Sequence, residues 1–188
     1  MEAENIQRII AFVDRAHGSQ LRKFSDERYI VHPVRVMETC RQYSNDPAVL
    51  SAALLHDVLE DTPVSADEIR SFLLTILPSS TVDDTMKLVI ELTDVYTREN
   101  YPRLNRRRRK ENEFKRLGTT SAAAHTIKYA DIIDNTIDIV KHDPDFARIF
   151  LQEASTLLDM ITNGNRTLYK RARETVANCL NLLTKKPV

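Results

Sequence analysis

Glycine is scarce in this chain: three residues in 188, at positions 18, 118 and 164. So few fit poorly with a β-rich fold full of tight turns, and they exclude glycine-rich phosphate loops of the GxGxxG kind. Cysteine is equally rare. Cys40 and Cys179 form no metal-type pair, and two free thiols in a reducing compartment are the plain reading. No apolar run approaches the roughly 18 residues a membrane helix needs, so no membrane partner is expected. The first residues, MEAENIQRII, lack the basic start and apolar core of a signal peptide. A cytoplasmic protein is the expectation. Neither sign of charge dominates, because Lys+Arg and Asp+Glu both total 27. A neutral chain makes no global case for nucleic acid as a partner. What is present is ordinary globular composition, 42% hydrophobic and 29% charged, in a length that suits one domain over 1–188.

Helical periodicity dominates what remains. Ile6, Ile9, Ile10 and Val13 recur at spacings of three and four in a helix over about 3–17. Pro33 suits the first turn of a helix reaching about Tyr43, since its missing N–H has no partner there. Asn45-Asp46-Pro47 starts a helix running to about Leu59. Ser65, with Asp67 and Glu68 in the following turn, opens another that ends before Pro78. Further helices are predicted over about 81–93, 103–116, 119–142, 145–161 and 166–184. The expected fold class is all-α, about nine helices in a single domain.

The segment LLHDVLED, residues 54–61, is the most informative. If it is one helix, Glu60 falls one turn from His56, and Asp61 one turn from Asp57. Four titratable groups beside Ala52, Ala53, Leu54 and Leu55 are a poor choice for packing alone. Buried acids must be paired or bind metal. The plain alternative is a solvated helix face carrying a stray histidine. His32 stands just before Pro33, and Asp131 lies among Ile127, Ala130, Ile132 and Ile133, with Asn135 at i+4. Each could be a hydrogen-bonded core residue. Together, His32, His56-Asp57 and Asp131 offer mixed nitrogen and oxygen donors suited to an open Mn²⁺, Fe²⁺ or Zn²⁺ site.

In this order and spacing, H…HD…D resembles the signature of HD-domain metal-dependent phosphohydrolases. The nearer resemblance is to the hydrolase domain of the RelA/SpoT alarmone enzymes and to small stand-alone alarmone hydrolases. AH at 16–17, QLRK at 20–23, YIVHP at 29–33, AALLHDVLEDT at 52–62 and IKYADIIDN at 127–135 carry it. The resemblance implies an HD-type helical bundle, its metal-site core over about 17–140 and further helices over 145–184. It implies His32, His56, Asp57 and Asp131 as ligands, with Mn²⁺ the usual ion. Glu60 and Asp61 match the acidic pair that positions or deprotonates the attacking water. Arg22 and Lys23 match a basic pair beside the nucleotide, and Asn135 a residue near its sugar or phosphate. The implied reaction removes the 3′-pyrophosphate of ppGpp or pppGpp. Two other readings stay open: an HD phosphohydrolase acting on another nucleotide, and a non-catalytic module that senses one.

This chain departs from the family's pattern. Asp26-Glu27-Arg28-Tyr29 stands where the family often has Gly-x-Pro-Tyr, and Ile137 where it tends to have an arginine. Nothing resembling a synthetase domain follows, so any alarmone activity is expected to be hydrolysis. Residues 103–116, RLNRRRRKENEFKR, hold eight basic and two acidic side chains. They suit a polyphosphate substrate, a nucleic-acid patch, or a solvated helix with local pairs such as Arg107–Glu111 and Arg109–Glu113. His17, His125 and His142 read as structural or surface residues. Phe146, Ile149, Phe150, Ala154, Leu157, Leu158 and Ile161 read as a core stripe.

Overall fold

The computed structural model describes residues 1–23 and 25–185. Among them are ten helices and no strand: α1 (Ala3–His17), α2 (Val31–Arg41), α3 (Pro47–Leu55), α4 (Val58–Asp61), α5 (Ala66–Leu73), α6 (Ser79–Leu92), α7 (Arg106–Leu117), α8 (Ala122–His142), α9 (Pro144–Met160) and α10 (Arg166–Lys185). The all-α expectation holds. The tenth helix arises because the predicted 47–59 helix is interrupted. α3 ends at Leu55, His56 and Asp57 form a turn, and the single turn α4 follows.

Helix starts follow the side chains available. Asp46 accepts from the Ala48 N–H ahead of Pro47. Ser65 and Glu68 make a reciprocal capping box on α5. Asn105, Ser121 and Asp143 cap α7, α8 and α9 by accepting N–H groups that have no partner within the helix.

α3 is apolar all round, and every residue from Ala48 to Leu55 is buried. A helix without a polar face belongs at the centre of a fold. Here α2 and α6 pack against it. The long α8 forms the second spine, covered by α2, α9 and α10. Buried apolar side chains join in one cluster from Ile6 to Leu183. The α9–α10 turn is pressed onto α8. A Cβ on Gly164 would come within 2.5 Å of Tyr129 Cε2 and 2.8 Å of the Thr126 nitrogen, so only glycine fits there.

α2 touches both spines. A side chain in its first turn, one at the C-terminus of α3 and one on the buried face of α8 therefore converge.

Candidate metal centre and active site

His32 lies in the first turn of α2, one residue before Pro33, and is buried. His56 and Asp57 occupy the break after α3. A residue at such a break can aim its side chain away from the continuing helix, and Asp57 adopts φ −100°, ψ −6° there. Asp131 lies on the buried face of α8.

The four expected donors meet. One donor atom each from His32, His56 and Asp57 lie within 4.8 Å of one another. Asp131 Oδ1 is 3.3 Å from His32 Nε2 and 3.8 Å from His56 Nε2. His56 directs Nδ1 at the Ala53 carbonyl, 2.9 Å away, so that nitrogen donates and Nε2 faces the cluster. His56 Nε2 is buried and makes no hydrogen bond. A buried imidazole nitrogen with no aligned hydrogen bond, 3.1 Å from Asp57 Oδ2 and beside a second imidazole and Asp131, fits a divalent metal.

The electrostatics agree. Burial pulls both imidazoles toward neutrality, but the carboxylates outweigh it. His32 is held well above its usual range by Asp131, Asp134 and Asp57, and His56 is raised to about 9 by Asp57 and Asp131. Burial works against ionising Asp57 and Asp131 as well. His56 and His32 overcome it at Asp57, and Lys128 with both histidines does so at Asp131, so both acids stay well below the carboxylate range.

Several contributing residues escaped the sequence reading. Tyr29 donates its hydroxyl hydrogen to Asp57 Oδ2 at 2.6 Å, and its ring stacks on His17. Lys128 Nζ lies 2.9 Å from Asp131 Oδ2. Asn135, which the sequence reading did single out, donates to Asp131 Oδ1 at 2.6 Å. Asp134 Oδ2 lies 2.7 Å from His32 Nδ1. The Asp94 backbone N–H bonds Glu60 Oε1, and the Asp94 carboxylate lies 3.3 Å from Lys110 Nζ. Lys128 and Asp134 stand three residues either side of Asp131, a helical spacing visible in the sequence. Asp94 lies on a loop, with no periodicity to mark it.

Glu60 and Asp61 are both exposed on α4, beside the donor cluster. The Glu60 carboxyl is pushed up to about 7, first by the protein crowded around it and then by Asp94.

Two hollows meet at Asn135, Phe146 and Phe150. One, about 400 Å³, includes Arg22, Lys23, Tyr29, Asp61 and Asp138 in its wall. The other, about 240 Å³, includes Arg106, Lys110, Lys128, Asp131 and Glu153. Arg22 is buried. Its Nη2 donates to Asn135 Oδ1 at 2.9 Å and lies 3.1 Å from Asp138 and 3.5 Å from Asp134. Lys23 is exposed, its Nζ 5.0 Å from the Phe146 ring centre. Ile137, where the family tends to have an arginine, is 58% exposed and borders a separate hollow with Glu27, Arg35 and Lys141.

Other expectations are corrected. The apolar stripe of α9 is not all core: Phe146 and Phe150 border the cleft and Ile149 is exposed, while Ala154, Leu157, Leu158 and Ile161 are buried. The basic run begins as loop, since α7 starts only at Arg106. Arg107 pairs with Glu111 at 2.9 Å as expected, but Arg109 does not pair with Glu113. Arg109 bonds the Leu104 carbonyl. Glu113 is buried and accepts from the Val95 and Tyr96 N–H groups and from Arg116. His125 is structural, with Nε2 at the Leu117 carbonyl and Nδ1 at the Asn163 N–H.

A family model described as HD domain matches residues 10–149, the span that carries all four donors. The chain belongs to the HD domain family. It is 32% identical over 134 residues to the guanosine-3′,5′-bis(diphosphate) 3′-pyrophosphohydrolase MESH1 of Drosophila melanogaster, covering 68% of this chain and 65% of that one. It is 44% identical over 68 residues to the guanosine-3′,5′-bis(diphosphate) 3′-pyrophosphohydrolase of Aquifex aeolicus (strain VF5), over 36% of this chain. That match spans only 10% of the Aquifex protein. Among solved structures, a metazoan orthologue of SpoT that hydrolyses ppGpp superposes with a TM-score of 0.78 at 24% identity. The superposition covers 95% of this HD chain and 97% of that one, a likeness of fold. No helix among the described residues is long and apolar enough to cross a membrane.

Proposed function

We propose that this HD protein is a Mn²⁺-dependent phosphohydrolase that removes the 3′-pyrophosphate of ppGpp, working as one domain over residues 1–188. The observation that carries the reading is the donor cluster beside two joined hollows of different charge. His32, His56, Asp57 and Asp131 would hold the ion. Their mix of imidazole and carboxylate suits Mn²⁺ among the divalent metals. When bound, such a cation supplies Lewis-acid polarisation of a phosphoryl oxygen and lowers the pKa of water.

The chain's own residues do the rest. Glu60, with its carboxyl near 7, is poised to accept a proton at neutral pH, and Asp61 completes the acidic pair on α4. Around the smaller hollow, Arg106, Lys110 and Lys128 outnumber Asp131 and Glu153 by one positive charge, and Asp131 is itself one of the metal donors. Cations fixed there favour the negative charge of a phosphoryl transition state. In the larger hollow, Arg22 and Lys23 are balanced by Asp61 and Asp138 among aromatic walls, which suits a nucleoside. Arg22 and Lys23 thus serve as walls of the nucleoside pocket, and Asn135 stands where the sugar meets the phosphates. The likeness to the Drosophila pyrophosphohydrolase over two thirds of this chain supports that substrate class. A cytoplasmic location agrees with the two free thiols.

The deciding experiment adds Mn²⁺ to purified protein and measures pyrophosphate release from ppGpp. Release that stops on chelation is expected. Faster hydrolysis of simple nucleoside monophosphates than of ppGpp would replace the alarmone reading with a general nucleotide phosphatase.

A further inference from the structure

One imidazole in this protein is gripped at both nitrogens by carboxylates from the same helix. Asp131 Oδ1 lies 3.3 Å from His32 Nε2, and Asp134 Oδ2 lies 2.7 Å from His32 Nδ1. The two acids are three residues apart on α8, so they share a face. His32 comes from another helix, α2, and is 1% exposed. A carboxylate can only accept, so the Asp134 contact places a hydrogen on Nδ1. Nε2 is thereby turned toward the cluster of His56, Asp57 and Asp131.

Asp134 is itself restrained. Arg22 Nη2 lies 3.5 Å from its Oδ2 and 3.1 Å from Asp138 Oδ2, so one buried guanidinium spans two acids a helical turn apart on α8. The same nitrogen donates to Asn135 Oδ1, and Asn135 donates to Asp131. The path from Arg22 to the donor cluster thus runs through two neighbouring residues, Asp134 and Asn135. A guanidinium is charged at all working pH values, so its pairing with Asp134 and Asp138 fixes where the Asp134 carboxyl sits beside His32.

We propose that Asp134 is a positioning residue: it takes the Nδ1–H of His32, fixes the orientation of that ring, and presents Nε2 to a divalent cation, with Arg22 holding Asp134 in place. This rests on the metal-centre reading above. A histidine ligand whose other nitrogen is so engaged loses less rotational freedom on binding and is a stronger base toward the ion. Asp134 needs no contact with substrate for this.

The test is Mn²⁺ binding to the metal-free full-length protein, followed by calorimetric titration, with no turnover involved. Parent, His32→Ala, Asp134→Leu and Asp134→Asn are compared, and far-ultraviolet circular dichroism checks each fold. Asp134→Leu should bind Mn²⁺ about 10- to 100-fold more weakly. Asp134→Asn can still accept the Nδ1–H through its amide oxygen. Without the charge its bond is about half as strong, so its affinity should fall between parent and Asp134→Leu. In the Zn²⁺-loaded protein, ¹⁵N NMR should show the His32 Nδ1–H protected in the parent and exchanging freely in Asp134→Leu. A merely structural aspartate would not move that signal. If His32→Ala weakens binding while Asp134→Leu binds like the parent, the positioning role is overturned and the metal centre stands. If His32→Ala also binds like the parent, the metal-centre reading falls first. Should Asp134→Leu lose its helical signal, Asp134→Asn decides: parent-like affinity with an unchanged Nδ1–H signal rejects the proposal.

Discussion

Tyr29 donates its hydroxyl hydrogen to Asp57 Oδ2 over 2.6 Å, reaching from the loop before α2 to the turn that interrupts α3 and α4. The bond ties the entry segment of the site to its central acid. Burial and the nearby Asp57 and Asp61 carboxylates all raise the phenol's pKa, so the hydroxyl stays protonated and remains a donor. Tyr29 is half-buried, with its ring stacked on His17.

Tyr29→Phe removes that donor and keeps the stack. The fold should persist. Mn²⁺ affinity should drop about 10-fold, the lower range for losing a partner that orients a ligand. Titration of the metal-free variant checks this, and an unchanged affinity would remove Tyr29 from the set of orienting groups.

The donor set predicts metal content directly. Asp131→Ala and His56→Ala should each lose the ion while their helical signals stay close to the parent's. Elemental analysis of purified protein gives the answer. Parent-like metal content in both variants would disprove the site.

The metal-free protein should carry an unusual pH signature. His56 has its pKa raised from 6.5 to about 9 in the folded state. A raised base contributes stability fully below the unfolded value near 6.5, and that contribution fades as pH climbs through 9. The melting temperature of chelator-treated protein should therefore fall between pH 6.5 and 9. Mn²⁺ affinity should move the opposite way across that window, because an imidazole must lose its proton to ligate. A melting temperature that rises over the same range would contradict the charged histidine.

The metal donors are legible in the sequence because a metal needs specific residue types, and few substitutes exist for His and Asp. His32, His56, Asp57 and Asp131 stand out for that reason. The groups that orient them are less constrained. A tyrosine, a lysine or another acid can each do such work, so Tyr29, Lys128 and Asp94 look like ordinary residues of a polar segment. Asp134 was readable from its three-residue offset to Asp131, but only once that face of α8 is known to look inward. The helix break at His56-Asp57 leaves no trace, since LLHDVLED contains neither proline nor glycine. Local propensity there favours one continuous helix, and packing around the donor cluster overrides it. Phe146 and Phe150 share the period of the buried α9 residues, and periodicity alone does not separate a core face from the wall of a cleft.

Glu60 separates catalysis from binding. It is not among the expected metal donors, and its carboxyl near 7 suits proton transfer at neutral pH. Glu60→Gln keeps the size and can still accept the Asp94 N–H through its amide oxygen. It should retain Mn²⁺ and substrate while losing turnover by about 10² or more. Parent-like kcat in this variant would exclude Glu60 as the proton acceptor.

The basic run on α7 divides by direction, and kinetics should divide with it. Arg106 and Lys110 lie one turn apart and border the smaller hollow with Lys128. Each is partly balanced, Arg106 by Glu153 and Lys110 by Asp94. Arg107 and Arg108 point elsewhere: both are well exposed, and both pair with Glu111. Exposed pairs of this kind contribute little to stability. Arg106→Ala with Lys110→Ala should then raise KM for ppGpp with a smaller change in kcat, as expected when contacts made equally in ground and transition states are lost. Arg107→Ala with Arg108→Ala should leave KM near the parent's. Added salt should raise KM in the parent more than in the Arg106/Lys110 double variant, because the screened charges are already gone there. Equal effects from the two double variants would mean that the run acts through its overall charge, and α7 would no longer be a wall of the phosphate site.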